Sequence, residues 1–328
     1  MRPILLQGHT RPLTQIKYNA EGDLLFSAAK DKSCNVWFSI NGERLGTYEG
    51  HNGAIWSVDP SYDSKHLLTG SGDYSSIYWD LETGKILEKI ECDSPVRSVG
   101  FSYSAKEFFL ATDQIGNKDA EILLFDSRDR DQMMNTKPWQ SIVMPRSHPK
   151  LTVVIWGPQS QILITGHDNG DLNLFNPKTQ DRVTHSTGYH DNRINDLQTG
   201  RDGLLLISAC KDQTARLWDP FSLDLLKTYK TDRPVNSAAI CPNKDHVIIG
   251  GGQEAQDVTT TAGKVGKFEA KFYHMVFEEE FARVKGHFGP INSIAIHPDG
   301  KSYSSGGEEG YVRMHYFDQN YLEFDFEQ

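Results

Sequence analysis

Residues 8–38 read GHTRPLTQIKYNAEGDLLFSAAKDKSCNVWF, and residues 50–80 read GHNGAIWSVDPSYDSKHLLTGSGDYSSIYWD. The two stretches share landmarks more than letters. From His9 the steps to Ser27, Asp31 and Trp37 are 18, 4 and 6, and His51, Thr69, Asp73 and Trp79 repeat them. His190, Ser208, Asp212 and Trp218 give the same steps; His287, Ser305, Glu309 and His315 keep them with two substitutions. A degraded copy runs His148, Thr165, Asn169, Phe175, with steps 17, 4 and 6. Asp93 lies 42 residues after His51, and Asp232 lies 42 after His190. Units therefore begin near residues 9, 51, 93, 148, 190, 232 and 287.

Each unit is built from short strands. In the first, Thr14–Tyr18, Leu24–Ala29, Asn35–Phe38 and Arg44–Tyr48 are separated by turns rich in Asn, Asp and Gly. β-Branched and aromatic runs bounded by such turns read as strands. No segment sustains a 3.6-residue apolar period. Four strands per roughly 42 residues is the pattern of a propeller blade. The expected fold is all-β: one seven-bladed propeller over residues 1–328. Residues 3–6 are expected to close the last blade as its outer strand, although Tyr321–Phe326 also sits at outer-strand spacing.

Composition narrows function. The formal net charge of −10 disfavours binding to a phosphate backbone as the main task. No run approaches the ~20 apolar residues of a membrane span, and the opening residues lack a signal-peptide core. Cys34, Cys92, Cys210 and Cys241 form no CxxC pair, so free thiols in a reducing, cytoplasmic setting are expected.

His9, Ser27 and Asp31 have the residue types of a hydrolase triad. Such a triad is needed once, whereas this set recurs at fixed spacing. The repeat reading is structural: the Asp carboxylate accepts from the imidazole, the imidazole meets the Ser or Thr hydroxyl, and the Trp lies beneath. Gly250-Gly251-Gly252 lacks the spacing of a dinucleotide fingerprint, and no Walker-type loop occurs. No catalytic residue, metal set, cofactor or small-molecule substrate is indicated.

Function is then sought where units depart from the repeat. The third carries 4 extra residues between its second and third strands and 9 after the third, within Ser127–Gln140. The bland reading of that segment is a flexible connector. The sixth carries 13 extra residues in the loop Gly250–Lys267. Long loops of this kind are often functional, which makes Gly250, Gln253, Glu254 and Asp257 candidate partner contacts. In the fifth unit, turn geometry brings Asp202 and Asp219 to one face, where they can receive basic residues of a partner.

The Gly-His…Trp-Asp pattern resembles the WD-repeat family. GGGQEAQDVTTT (250–261), GKFEAKFYH (266–274), FEEEFARVKGHFGPIN (277–292), SYSSGGEEGYVRMHYF (302–317) and the opening LLQGHTRPLTQIKYNAEGDLLFSAAKD (5–31) are more specific. They resemble the subunit i family of eukaryotic translation initiation factor 3. The resemblance implies a non-catalytic scaffold that docks subunits b and g within a complex bound to the small ribosomal subunit. It also implies that Asp202 and Asp219 hold subunit b. The alternative is a WD-repeat adaptor in another signalling or RNA-processing complex.

Overall fold

The strand Leu24–Ala29 is buried along nearly its whole length and pairs on both sides, with Leu13–Tyr18 and with Cys34–Phe38. The fourth strand, Arg44–Tyr48, pairs only with the third and exposes Arg44 and Leu45. A doubly paired, doubly covered strand is uniformly apolar; an edge strand carries charge. The computed structural model describes residues 3–252 and 268–324, and in it this arrangement occurs seven times, as seven four-stranded antiparallel sheets.

The first strands of successive sheets touch one another around the axis, and Leu13–Tyr18 touches Ile291–Ile296 of the seventh blade, so the ring closes. The core is divided among the seams between blades. One cluster joins Phe26, Val36 and Tyr48 of the first blade to Ile55, Leu67 and Trp79 of the second.

The inner strands are also tied by side chains. The hydroxyl or amide oxygens of Gln15, Ser57, Ser98, Ser237 and Ser293 each accept from a backbone N–H of the next blade, on Val58, Val99, Val154, Ile294 and Ile16 respectively. Between blades five and six, Ser237 donates to Asp196 at 2.6 Å. The fourth blade breaks this girdle. Val153 stands at the accepting position, and Thr152 bonds to Gly166 of its own blade.

The seventh sheet combines both ends of the ring. Ile4–Gln7 pairs with Tyr311–Tyr316 as its outer strand, with Leu6 opposite Val312. Of the rival segment, residues 321–323 belong to the helix Gln319–Glu323, capped by Asp318, whose side chain accepts from the Tyr321 N–H at 3.0 Å, and residues 325 and 326 lie outside the described residues. Leu6 is 2 % exposed and packs against Leu13, Trp37 and Met314, whereas Leu5 is 41 % exposed. Leu6→Ala is expected to cost about 2–5 kcal/mol, read as a lowered urea midpoint. Leu5→Ala should be near neutral. Equal effects would remove the ring-closing role from Leu6.

The segment after the third strand of blade three differs from a flexible connector. Arg130–Met134 is a short helix capped by Asp129. Met133 is buried, and Thr136 donates to the Glu91 carbonyl at 3.0 Å, pinning the segment to the outer strand of blade two. An apolar anchor and an edge carbonyl in need of a donor order the insertion.

Candidate functional site

The repeated polar set assembles at the loop end of each regular blade. In the first, His9 Nδ1 lies 3.0 Å from Asp31, His9 Nε2 2.8 Å from Ser27 Oγ, and Trp37 Nε1 donates to the same oxygen at 2.8 Å. In the second, the corresponding distances for His51, Asp73, Thr69 and Trp79 are 3.0, 2.8 and 2.9 Å. In the fifth, His190, Asp212, Ser208 and Trp218 give 2.8, 2.7 and 2.8 Å. The seventh keeps His287 at 2.6 Å from Glu309 and 2.7 Å from Ser305, while His315 stacks on Tyr303 in place of the Trp bond. In blades one, two and five the hydroxyl is thus committed to both imidazole and indole. A nucleophile needs a free approach, and this oxygen lies in the core.

The fourth blade builds its set from another residue. His148 is exposed, and His167, on the strand itself, takes the imidazole's place. Its Nε2 is 3.0 Å from Thr165 Oγ1 and 2.7 Å from Asn173 Nδ2, and its Nδ1 is 3.1 Å from the Pro149 carbonyl. With Asn169 in place of the turn carboxylate, a backbone carbonyl receives the ring proton. Asp93 and Asp232, which stand where histidine is missing, form ion pairs with Lys118 and Lys271.

Two other groupings have features of reactive sites. His190, Cys210 and Asp212 bring their ligand atoms within 4.8 Å of one another, the one such cluster among the described residues. Each atom is already used. The thiol donates to the Asn192 carbonyl at 3.0 Å, as Ser71 donates to Ala54 at 3.0 Å in the second blade. Burial pushes the thiol up to about 12, so the sulfur keeps the proton it donates to that carbonyl. Asp196, whose pKa is raised by burial, accepts from Ser237 at 2.6 Å and Gln198 at 2.8 Å. It is a girdle member.

Asp202 and Asp219 sit differently. The register Leu206 opposite Trp218 puts the turn carrying Asp202 and the strand end carrying Asp219 at the same end of blade five. Asp202 accepts only from the Leu204 N–H, at 3.0 Å. Asp219 accepts from the N–H groups of Phe221 and Ser222, at 2.7 and 3.2 Å. Neither pairs with a cation among the described residues. Beside them, Leu204 is 62 % and Phe221 57 % exposed. Gly250 lies inside the strand His246–Gly251, where a Cβ would fall 2.5 Å from Ile294 of blade seven. It is a buried glycine packed against the neighbouring blade. Gln253, Glu254 and Asp257 lie outside the described residues.

The EIF3I family profile matches residues 1–327. Curated proteins named eukaryotic translation initiation factor 3 subunit I are 56 % identical in Taeniopygia guttata and 54 % in Homo sapiens, each over 327 residues covering 100 % of both chains. This chain belongs to the eukaryotic translation initiation factor 3 subunit I family. Among solved structures, the β-propeller domain of Cps50 (Swd1) from Myceliophteria thermophila superposes with a TM-score of 0.78 at 18 % identity. It covers 96 % of this chain and 100 % of that one, a likeness of fold alone.

In this member of the subunit I family, each His–carboxylate–hydroxyl set acts as a lock on its blade, and the locks carry a pH signature. Burial alone would raise the carboxyls of Asp31, Asp73 and Asp212. Hydrogen bonds from the lock histidine and from Ser33, Ser75 or Thr214 outweigh it and hold all three well below the usual carboxylate range. A folded pKa below the unfolded one stabilises fully above about pH 4 and fades as pH falls through the folded value. The gap in thermal midpoint between the native chain and Asp73→Asn should therefore be widest near neutrality and close on acidification below about pH 4. A constant gap would show that the carboxylate charge contributes nothing. Sequence reading missed Leu204 and Phe221 as neighbours of the aspartates. Their signal was present as two large apolar residues in polar turns.

Proposed function

We propose that this chain is a non-catalytic scaffold subunit of translation initiation factor 3 that docks subunits b and g. In that role it supports assembly of the initiation complex on the small ribosomal subunit in the cytoplasm. The observation carrying the docking role is the pair of uncompensated turn aspartates beside exposed Leu204 and Phe221. Surface of this kind suits a partner helix or peptide with basic residues on one side and apolar residues on the other. A ring fixed by locks and girdle brings preformed surface, so most of the ordering cost falls on the partner segment.

Among the described residues no helix is long and apolar enough to cross a membrane. The reading involves no sequence-specific nucleic-acid contact and no small-molecule substrate. It is tested by titrating the purified C-terminal segment of subunit b into the full chain in a calorimeter. Saturable binding that weakens as salt rises is expected. Absence of binding at low ionic strength would refute the docking of subunit b.

A further inference from the structure

One position of the repeat holds a cation in three consecutive blades. Arg216 stands opposite Ser208 in blade five, Lys271 opposite Ile249 in blade six, and Arg313 opposite Ser305 in blade seven. Two of the three have carboxylates at hand. Lys271 is bonded to Asp232 and lies 3.9 Å from Glu280. Arg313 Nε is 3.8 Å from Glu309, a counter-charge at hand although neither that nitrogen nor Glu309 Oε2 makes a hydrogen bond. Arg216 pairs with no carboxylate of a described residue, and its Nε and Nη1 are buried without a hydrogen-bond partner. Asp212, the equivalent of Glu309, is one methylene shorter and is occupied by His190 and Thr214.

The surroundings of Arg216 are as incomplete as the guanidinium itself. Ser186 Oγ is also buried and unpartnered. Ser186 stands opposite Leu172 on blade four, and Leu172 packs in one cluster with Ile194 and Trp218 of blade five. Trp218 lies two residues beyond Arg216 and so shares its strand face. Arg216 and Ser186 therefore both face the seam between blades four and five, where the inner girdle is interrupted. Thr228, opposite Arg216, adds a hydroxyl on that face.

Tyr189 fills the place before the lock histidine that Gly8, Gly50 and Gly286 hold in blades one, two and seven. A Cβ at Gly286 would lie 3.5 Å from the Arg313 guanidinium, so the repeat geometry sets Tyr189 beside Arg216. The Tyr189 ring meets Trp218 edge-on at 5.4 Å and is 44 % exposed, so it borders both the seam and solvent.

Arg216 as a whole is half-buried, but a guanidinium keeps its proton, so two nitrogens withdrawn from water without a counter-charge leave the fold less stable than an anion beside them would. We propose that the seam between blades four and five is a binding site for a carboxylate, supplied by an acidic side chain of a protein partner. Arg216 is its cation, and Ser186 and Thr228 are accessory donors. Carboxylate is favoured over phosphate because the repeat itself uses Asp232, Glu280 and Glu309 beside the same position. The site lies on the seam face, apart from the turns carrying Asp202 and Asp219. Its failure would leave the docking of subunit b untouched, and the converse holds too.

Thermal unfolding of the full chain in sodium acetate, sodium phosphate and sodium chloride of equal ionic strength tests the assignment. Acetate is expected to raise the midpoint of the native chain by about 2 °C over chloride, and to leave Arg216→Met unshifted. In chloride, Arg216→Met should melt above the native chain. An acetate shift that survives in Arg216→Met, no acetate shift at all, or a shift with phosphate alone would each overturn the carboxylate site. Should Arg216→Met fail to fold, the Arg216 Nε–H signal of the native chain, assigned with Arg216→Lys, must move with acetate and stay fixed in chloride. A signal that does not move overturns the proposal.

Discussion

Replacing Asp202 and Asp219 together by lysine is expected to weaken capture of subunit b on the order of 100-fold, with no change in the unfolding midpoint. The two expectations have different physical origins. Both side chains are at the surface of blade five, one exposed and one part-exposed, and their hydrogen bonds are confined to their own turns. Surface substitutions of that kind usually fall within about 0.5 kcal/mol of neutral. At an interface each lysine removes an attraction and adds a repulsion in a setting from which water is excluded, and such losses run to several kcal/mol. The neighbours Leu204 and Phe221 are what would exclude that water. Unchanged capture of subunit b by the double variant, measured by pull-down at physiological salt, would place its dock on another face.

Trp79→Ala should destabilise the ring by about 3–5 kcal/mol, the largest single effect anticipated within a blade. Trp79 is 1 % exposed, meets Tyr48 edge-on at 5.4 Å and donates to Thr69 Oγ1 at 2.9 Å. Truncation leaves a cavity at the seam between the first two blades and withdraws one of the partners of the Thr69 hydroxyl. Trp79→Phe should recover much of the packing without the hydrogen bond and fall between the two. A urea midpoint of Trp79→Ala within experimental error of the native chain would mean that the lock does not hold the blade.

The blades were legible because one set of interactions is written at one spacing in four of them, and the 42-residue period placed the third and sixth. A hydroxyl that serves both His and Trp tolerates Ser27 or Thr69 and little else. The fourth blade was read with the wrong histidine. His148 keeps the approximate spacing but stays in solvent. His167, two residues after Thr165, reaches the same hydroxyl from the strand, and a pattern anchored on loop histidines does not register it. The C-terminal segment misled in another way. Tyr321–Phe326 has the length and composition of an outer strand, but Ile4–Gln7 already fills that edge, and the segment's first three residues finish a helix capped by Asp318. The order in the insertion of blade three was illegible, because it depends on a carbonyl at Glu91 of the neighbouring blade. Asp202 and Asp219 could be assigned to one face from the strand register alone. The deficit at Arg216 could not be foreseen, since it appears only when three equivalent cations are compared with the carboxylates around them.

The most direct test of the docking role is a quantitative mass-spectrometric inventory of the proteins that stay bound to the tagged full chain through purification from a cell lysate. Near-equimolar recovery of initiation factor 3 subunits, b and g among them, is the predicted result. A stable set of companions that lacks those subunits would contradict it.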